Sequence, residues 1–146
     1  GVTGVQACAL PISETDGDTP LLLSSSEGDV GVVQLLLGEG CDVNKAETDG
    51  ETPLYLSSSE GHVVVVQLLL GAGCDVNQAE TTSGGTPLYI SSSEGHVEVV
   101  QLLLGAGCDV NQAETAAEAP LHHFTSDGHV AVVQLLVGAW CDVSKV

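Results

Sequence analysis

An all-α repeat solenoid is the fold class this sequence predicts, and three observations carry the prediction. The chain repeats itself with a fixed period. Each period holds two short helical patterns split by a glycine. Neither helix can cover its own apolar residues without a neighbour. The period is read from Thr19-Pro20-Leu21, Thr52-Pro53-Leu54 and Thr86-Pro87-Leu88, spaced 33 and 34 residues apart, with Ala119-Pro120-Leu121 following 33 later. Gly28, Gly61, Gly95 and Gly128 keep the same intervals, as do the Cys-Asp-Val triplets that begin at Cys41, Cys74, Cys108 and Cys141. Three markers in register across four copies predict four repeats, near residues 16–48, 49–82, 83–115 and 116–146, with 16–146 as one repeat domain. The one extra residue falls within Thr81-Thr82-Ser83-Gly84-Gly85, a loop composition in which insertions are tolerated.

The second unit shows why each element forms. Asp49-Gly50 marks a turn. Thr52 is placed to cap a helix whose first residue is Pro53, where the missing N–H costs nothing. That helix is expected to run through Leu54–Glu60 and stop at Gly61. The next carries Val63, Val65, Val66, Leu68, Leu69 and Leu70, apolar around too much of its circumference for a lone surface helix. Gly71 and Gly73 close it, Gly73 being suited to the left-handed position that ends a helix. A unit this small cannot bury its apolar faces, whereas stacked copies can.

These markers resemble the ankyrin repeat over about residues 16–146. The period, the Thr-Pro-Leu opening, the Gly-His between the helices (His62, His96, His129), the Val-Val-x-Leu-Leu-Leu second helix and the Gly-x-Asp-Val-Asn exit all match, most closely in Glu51–Asn77 and Thr86–Asn111. The resemblance implies an ankyrin-type stack of helix-turn-helix units joined by β-hairpin-like loops that project to one side, a scaffold used for protein–protein interaction. It also implies that the Gly-His histidines and the Asp of each Cys-Asp-Val are structural.

The departures have consequences. Where the family prefers Ala-Ala in the first helix, this chain has Ser24-Ser25, Ser57-Ser58 and Ser91-Ser92, poorer helix formers whose buried hydroxyls are expected to bond back to the carbonyl four residues earlier. Gly38, Gly71, Gly105 and Gly138 replace helix formers at about 1 kcal/mol each if the helix passes through them. A fold of reduced stability is expected. In the fourth unit Ala119 removes the Thr cap, and Trp140 stands where the other units have the helix-ending Gly. A left-handed Trp is strained, so the backbone there should relax, with Phe124 and Trp140 lying over the end of the stack. The first unit reads as internal, with Leu21-Leu22-Leu23 and Val32-Val33, and leads to the expectation of further repeats upstream.

Composition narrows the function. Among 146 residues there are 2 basic and 20 acidic side chains, a net charge of −18, which argues against nucleic acid or anionic membrane partners. No apolar run approaches the roughly 18 residues of a membrane span. Aromatics are 3%, so the core must be Leu, Val and Ala. The chain has no Met, and residues 1–12 resemble one reading frame of a common sequencing adapter, so residues 1–15 are expected to be a non-native or disordered leader and the chain a fragment.

No catalytic chemistry is expected, since no nucleophile–base pair and no phosphate loop emerge. No cofactor and no metal are expected. His122, His123 and His129 lack a repeating carboxylate partner, and Glu14-x-Asp16-x-Asp18 lacks the Gly and Glu of a calcium loop. Stacked layers lie roughly 8–10 Å apart, beyond disulfide reach, so Cys41, Cys74, Cys108 and Cys141 are expected to be reduced and buried, which suits an intracellular, cytoplasmic setting.

What remains is a binding surface. Ankyrin-type stacking would gather carboxylates on the concave face and loop tips. The expected reading is a monomeric, acidic interaction module taking a basic or polar protein partner. Candidate contacts are Glu47, Asp49, Glu51, Tyr55, Ser59, Glu60, Glu80, Thr82, Ser83, Tyr89, Ser93, Glu94, Glu114 and Glu118. The alternative is a structural spacer in a longer array, favoured by the near-identity of the second and third units.

Overall fold

Thr-Pro starts each first helix for the reason the sequence suggests. In a computed structural model, which describes residues 19–110 and 130–144, the Thr19, Thr52 and Thr86 side chains accept from the N–H groups of Leu22, Tyr55 and Tyr89 at 3.1–3.2 Å. Seven helices stand among the described residues: α1 (Pro20–Glu27), α2 (Val30–Gly38), α3 (Pro53–Glu60), α4 (Val63–Gly71), α5 (Pro87–Ser93), α6 (Val97–Gly105) and α7 (Val130–Ser144). Each antiparallel pair closes through a left-handed glycine. Gly61 at φ 77° lets its N–H reach Ser58 O, while the His62 N–H bonds Ser57 O at 2.9 Å.

The second helices end by the same device one level down. Gly73 at φ 83° sends its N–H to Leu70 O, and the Cys74 N–H bonds Leu69 O at 3.3 Å. Cys41 and Cys108 make the equivalent bonds to Leu36 O and Leu103 O. The cysteine therefore sits just past the helix end, where an apolar residue folds back over the last turn. In α7 the residue at that glycine's place is Trp140, and the helix runs on to Ser144. The backbone relaxes there as expected; where the Trp140 side chain lies, and all of Phe124, falls outside the described residues.

Gly38, Gly71 and Gly105 are the last helical residues, and a Cβ built on any of them meets nothing within 4 Å. Their backbone is right-handed. Changing all three to Ala should therefore stabilise the chain by roughly 1–3 kcal/mol in total, by restricting the unfolded ensemble and improving helix propensity. Urea unfolding checks this; Gly40, Gly73 and Gly107, at φ 81–83°, should respond to Ala with the opposite sign.

One core runs along the stack: Leu21, Val33, Leu36, Leu54, Val65, Val66, Leu69, Leu88, Val99, Val100, Leu103, Val110, Val132 and Leu136. The layers are stapled by polar groups as well. His62 Nε2 lies 3.0 Å from Ser26 O, and His96 Nε2 lies 3.0 Å from Ser59 O, each bridging to the preceding repeat. The ring occupies the space that a side chain on the preceding glycine would need: a Cβ on Gly28 or Gly61 would stand 2.6 Å from the imidazole. A second ladder runs through the exits. Asn44 Oδ1 accepts from the Asp75 N–H and Asn77 Oδ1 from the Asp109 N–H, both at 2.7 Å. The Asp42 and Asp75 carboxylates hold each Asn by accepting its N–H at 3.0 Å.

The serines behave in two ways. Ser24, Ser57 and Ser91 donate to the carbonyl three residues back at 3.2–3.3 Å, and Ser24 also to Pro20 O, four back, at 2.8 Å. Ser25, Ser58 and Ser92 are fully buried, and their hydroxyls have no hydrogen-bond partner. The expected back-bond thus forms at the first serine of each pair and mostly to the nearer carbonyl. The second serine is buried with no acceptor within reach.

Candidate functional site

The helices pack unequally on the two sides of the stack. α1 packs against α3, and α3 against α5, more extensively than α2 against α4 or α4 against α6. The stack therefore closes toward the first helices, which line its inner side. Helical spacing puts Leu56, Ser59 and Glu60 on one stripe of α3. Leu23, Ser26 and Glu27 occupy the same places on α1, and Ile90, Ser93 and Glu94 the same places in the third unit. Leu23, Leu56 and Ile90 are half-buried, and Glu27, Glu60 and Glu94 are exposed. A small cleft between α1 and α3 is lined by Leu22, Leu23, Ser26, Glu47 and Leu56. The apolar row was not among the sequence candidates, although its position one turn before the glutamate was readable.

The loops add a second rim. Glu47 N–H bonds Glu51 O at 3.1 Å, closing one tip, and Glu80 N–H bonds Gly85 O at 2.9 Å, closing the next. The tips are joined: Thr81 donates both its N–H and its hydroxyl to Asp49 O at 2.8 Å. Gly50 at φ 83° permits this approach, since a Cβ there would come within 2.8 Å of Thr81. The loops are hairpin-like in path, and no strand occurs among the described residues.

Glu80 requires a correction. It was expected at an exposed tip but is 4% exposed, its carboxylate turned into its own loop. There it accepts from the N–H groups of Thr82 (2.7 Å), Ser83 (2.8 Å) and Gly85 (3.1 Å), and from the Thr82 and Ser83 hydroxyls. Burial acts to raise its pKa, but the Ser83 and Thr82 hydrogen bonds outweigh it and hold the carboxyl at about 2. The donors all lie within the segment 82–85, which contains the extra residue of this loop. Thr82 and Ser83 are exposed, with their hydroxyls committed to Glu80.

Of the other candidates, Asp49, Glu60 and Glu94 are exposed, while Glu47, Glu51, Ser59 and Ser93 are half-buried. Tyr55 is half-buried, with its hydroxyl beside Gly85 of the next loop, and Tyr89 packs in part on the core. Glu114 and Glu118 lie outside the described residues, as do His122, His123, His129 and the acidic Glu14–Asp18 segment. Among the described residues no group of three or more His, Cys, Asp or Glu side chains could hold a metal.

The cysteines differ from expectation in two ways: Cys41, Cys74 and Cys108 are half-buried rather than buried, and one of them is not a free thiol. Cys74 and Cys108 are free thiols, but Cys41 is disulfide-bonded, to a partner whose side chain is not among those described. Layer spacing forbids bonds between repeat positions and places no bar on other partners, and the step from four reduced thiols to an intracellular setting loses part of its basis. Burial, and then the neighbouring Asp75 or Asp109, pushes both free thiols up to about 11. They should react slowly with thiol reagents at neutral pH and rapidly once urea unfolds the chain; equal rates in both conditions would contradict this placement.

A family model described as ankyrin repeats (3 copies) matches residues 5–80 and 21–114, together most of the sequence. The chain belongs to the ankyrin-repeat family. No curated protein matches it. Ankyrin repeats are protein–protein interaction modules, and the His staples and Asn ladder fit the structural roles that the Gly-His and Cys-Asp-Val-Asn positions carry in this ankyrin stack. Among the described residues no helix is long and apolar enough to cross a membrane.

Proposed function

We propose that this chain is a non-catalytic interaction module whose inner face binds a basic segment of a partner protein. The observation that carries it is the recurring stripe on the first helices, an apolar row (Leu23, Leu56, Ile90) edged by an exposed carboxylate row (Glu27, Glu60, Glu94). An extended peptide with alternating apolar and Lys or Arg side chains suits both rows. Asp49 continues the acidic edge onto a loop tip, while Glu80 does not take part because its lone pairs are already engaged. Half-buried Tyr55 and Tyr89 stand on two of the same helices, α3 and α5.

A peptide-array screen tests the reading. Basic sequences should be retained and should weaken as salt rises, because the charges are exposed and screened. Reversing Glu27, Glu60 and Glu94 to Lys should abolish retention with the fold intact, and Glu98→Lys on the second-helix side should leave it unchanged. A spacer role, with recognition carried by other repeats, is favoured by one observation: Tyr55, Ser59 and Glu60 recur as Tyr89, Ser93 and Glu94 without diversification. Equal retention by the parent and the triple Lys variant, or no basic ligand at all, would favour that reading.

A further inference from the structure

The two rows on the first helices repeat once per layer, and that step selects the shape of what they hold. Leu23, Leu56 and Ile90 stand at one position of α1, α3 and α5, and Glu27, Glu60 and Glu94 stand four residues later, Glu94 directly after α5. Four helical residues rise about 6 Å, so the apolar row and the acidic row run side by side at about that separation. Along each row the step is the distance between packed helices, about 9 Å.

Three peptide geometries can be set against that step. A β-strand advances about 3.3 Å per residue and turns alternate side chains away, so its like-facing residues fall about 6.6 Å or about 13 Å apart, and neither matches. An α-helix returns residues seven apart to nearly the same face after about 10.5 Å, with a drift of about 20° each time, so the mismatch grows from layer to layer. A polyproline II helix has three residues per turn and rises about 3.1 Å per residue, which brings a side chain back to the same face every turn, after about 9.3 Å. Each of its turns offers one side chain to the apolar row, one to the acidic row and one to solvent.

We infer that the partner of this face is a polyproline II segment with a three-residue period, each turn carrying one apolar residue, one Lys or Arg, and one outward residue for which proline is best suited. This rests on the proposed function and narrows it: apolar and basic side chains follow one another, with a third residue between successive pairs. The apolar side chain seats beside half-buried Leu23, Leu56 or Ile90, and the basic one pairs with exposed Glu27, Glu60 or Glu94. The net charge of −18 draws such a cation toward the face. A proline-rich segment already holds this shape in solution, so little ordering is required on binding.

Fluorescence anisotropy on the parent chain with three labelled peptides tests this. One peptide repeats the triplet Leu-Lys-Pro, one is a shuffled isomer of the same composition without the three-residue period, and one is a helical peptide carrying Leu and Lys at a seven-residue period. The triplet peptide should bind about tenfold more tightly than its isomer, in which only one apolar and basic pair is in register at a time. Reversing Glu27, Glu60 and Glu94 to Lys should abolish its binding while the circular dichroism of the chain is kept. If the isomer binds as tightly as the triplet peptide, or the helical peptide more tightly, and the Lys variant binds none of them, the basic-partner reading stands and the three-residue period is overturned. If no peptide binds the parent, or parent and Lys variant bind alike, the proposed function fails and the inference falls with it.

Discussion

Replacing Ser25, Ser58 and Ser92 together with Ala should stabilise the chain by roughly 3–5 kcal/mol, since each change removes a buried hydroxyl with no partner, worth about 1–3 kcal/mol, and adds helix propensity. The gain should appear as a shift of the urea midpoint, with a rise in Tm of about 2–4 °C per kcal/mol. Ser24, Ser57 and Ser91 provide the control. Their hydroxyls are bonded to the preceding turn, so Ala there loses a hydrogen bond while gaining propensity, and the net change should be small. Equal effects from the two sets would mean that the orphaned hydroxyls are not what separates them.

Glu80→Gln should destabilise the chain at pH 7 by on the order of 3 kcal/mol, the linkage value of a carboxyl held at about 2 rather than 4.5. The sign follows from the depressed value. The stabilisation is fully present above the unfolded value of 4.5 and is lost as pH falls toward about 2. The parent should therefore lose stability between pH 5 and pH 2 more steeply than the variant. Glu60→Gln, on an exposed side chain, should leave the stability at pH 7 close to that of the parent. Parallel curves for parent and Glu80→Gln would show that the loop does not depend on a charged carboxylate.

These two effects mark where sequence reading reached and where it stopped. Caps and glycine stops were legible because each depends on one residue at one backbone position: Thr52 before Pro53, Gly61 and Gly73 where φ must be positive. The relaxed end at Trp140 followed by the same logic. Glu80 was not legible. Its carboxylate accepts from the N–H groups of Thr82, Ser83 and Gly85, a matter of loop geometry rather than residue type. The serine pairs were half legible, because periodicity puts both inside but cannot say which hydroxyl reaches a carbonyl and which is left without a partner. Cys41 escaped because spacing constrains only repeat positions against one another. On the candidate face, charge drew attention to the carboxylates, and the half-buried row of Leu23, Leu56 and Ile90 beside them was passed over.

The proposed function places recognition on the first-helix side of the stack. Backbone amide shifts followed by NMR during titration with a Lys- and Arg-rich peptide retained on the array test it most directly. Perturbations should concentrate at Leu23–Glu27, Leu56–Glu60 and Ile90–Glu94, with Asp49 at the margin and the α4–α6 face around Gln67, Glu98 and Gln101 unmoved. A footprint centred on Gln67, Glu98 and Gln101, with the first helices silent, would contradict it.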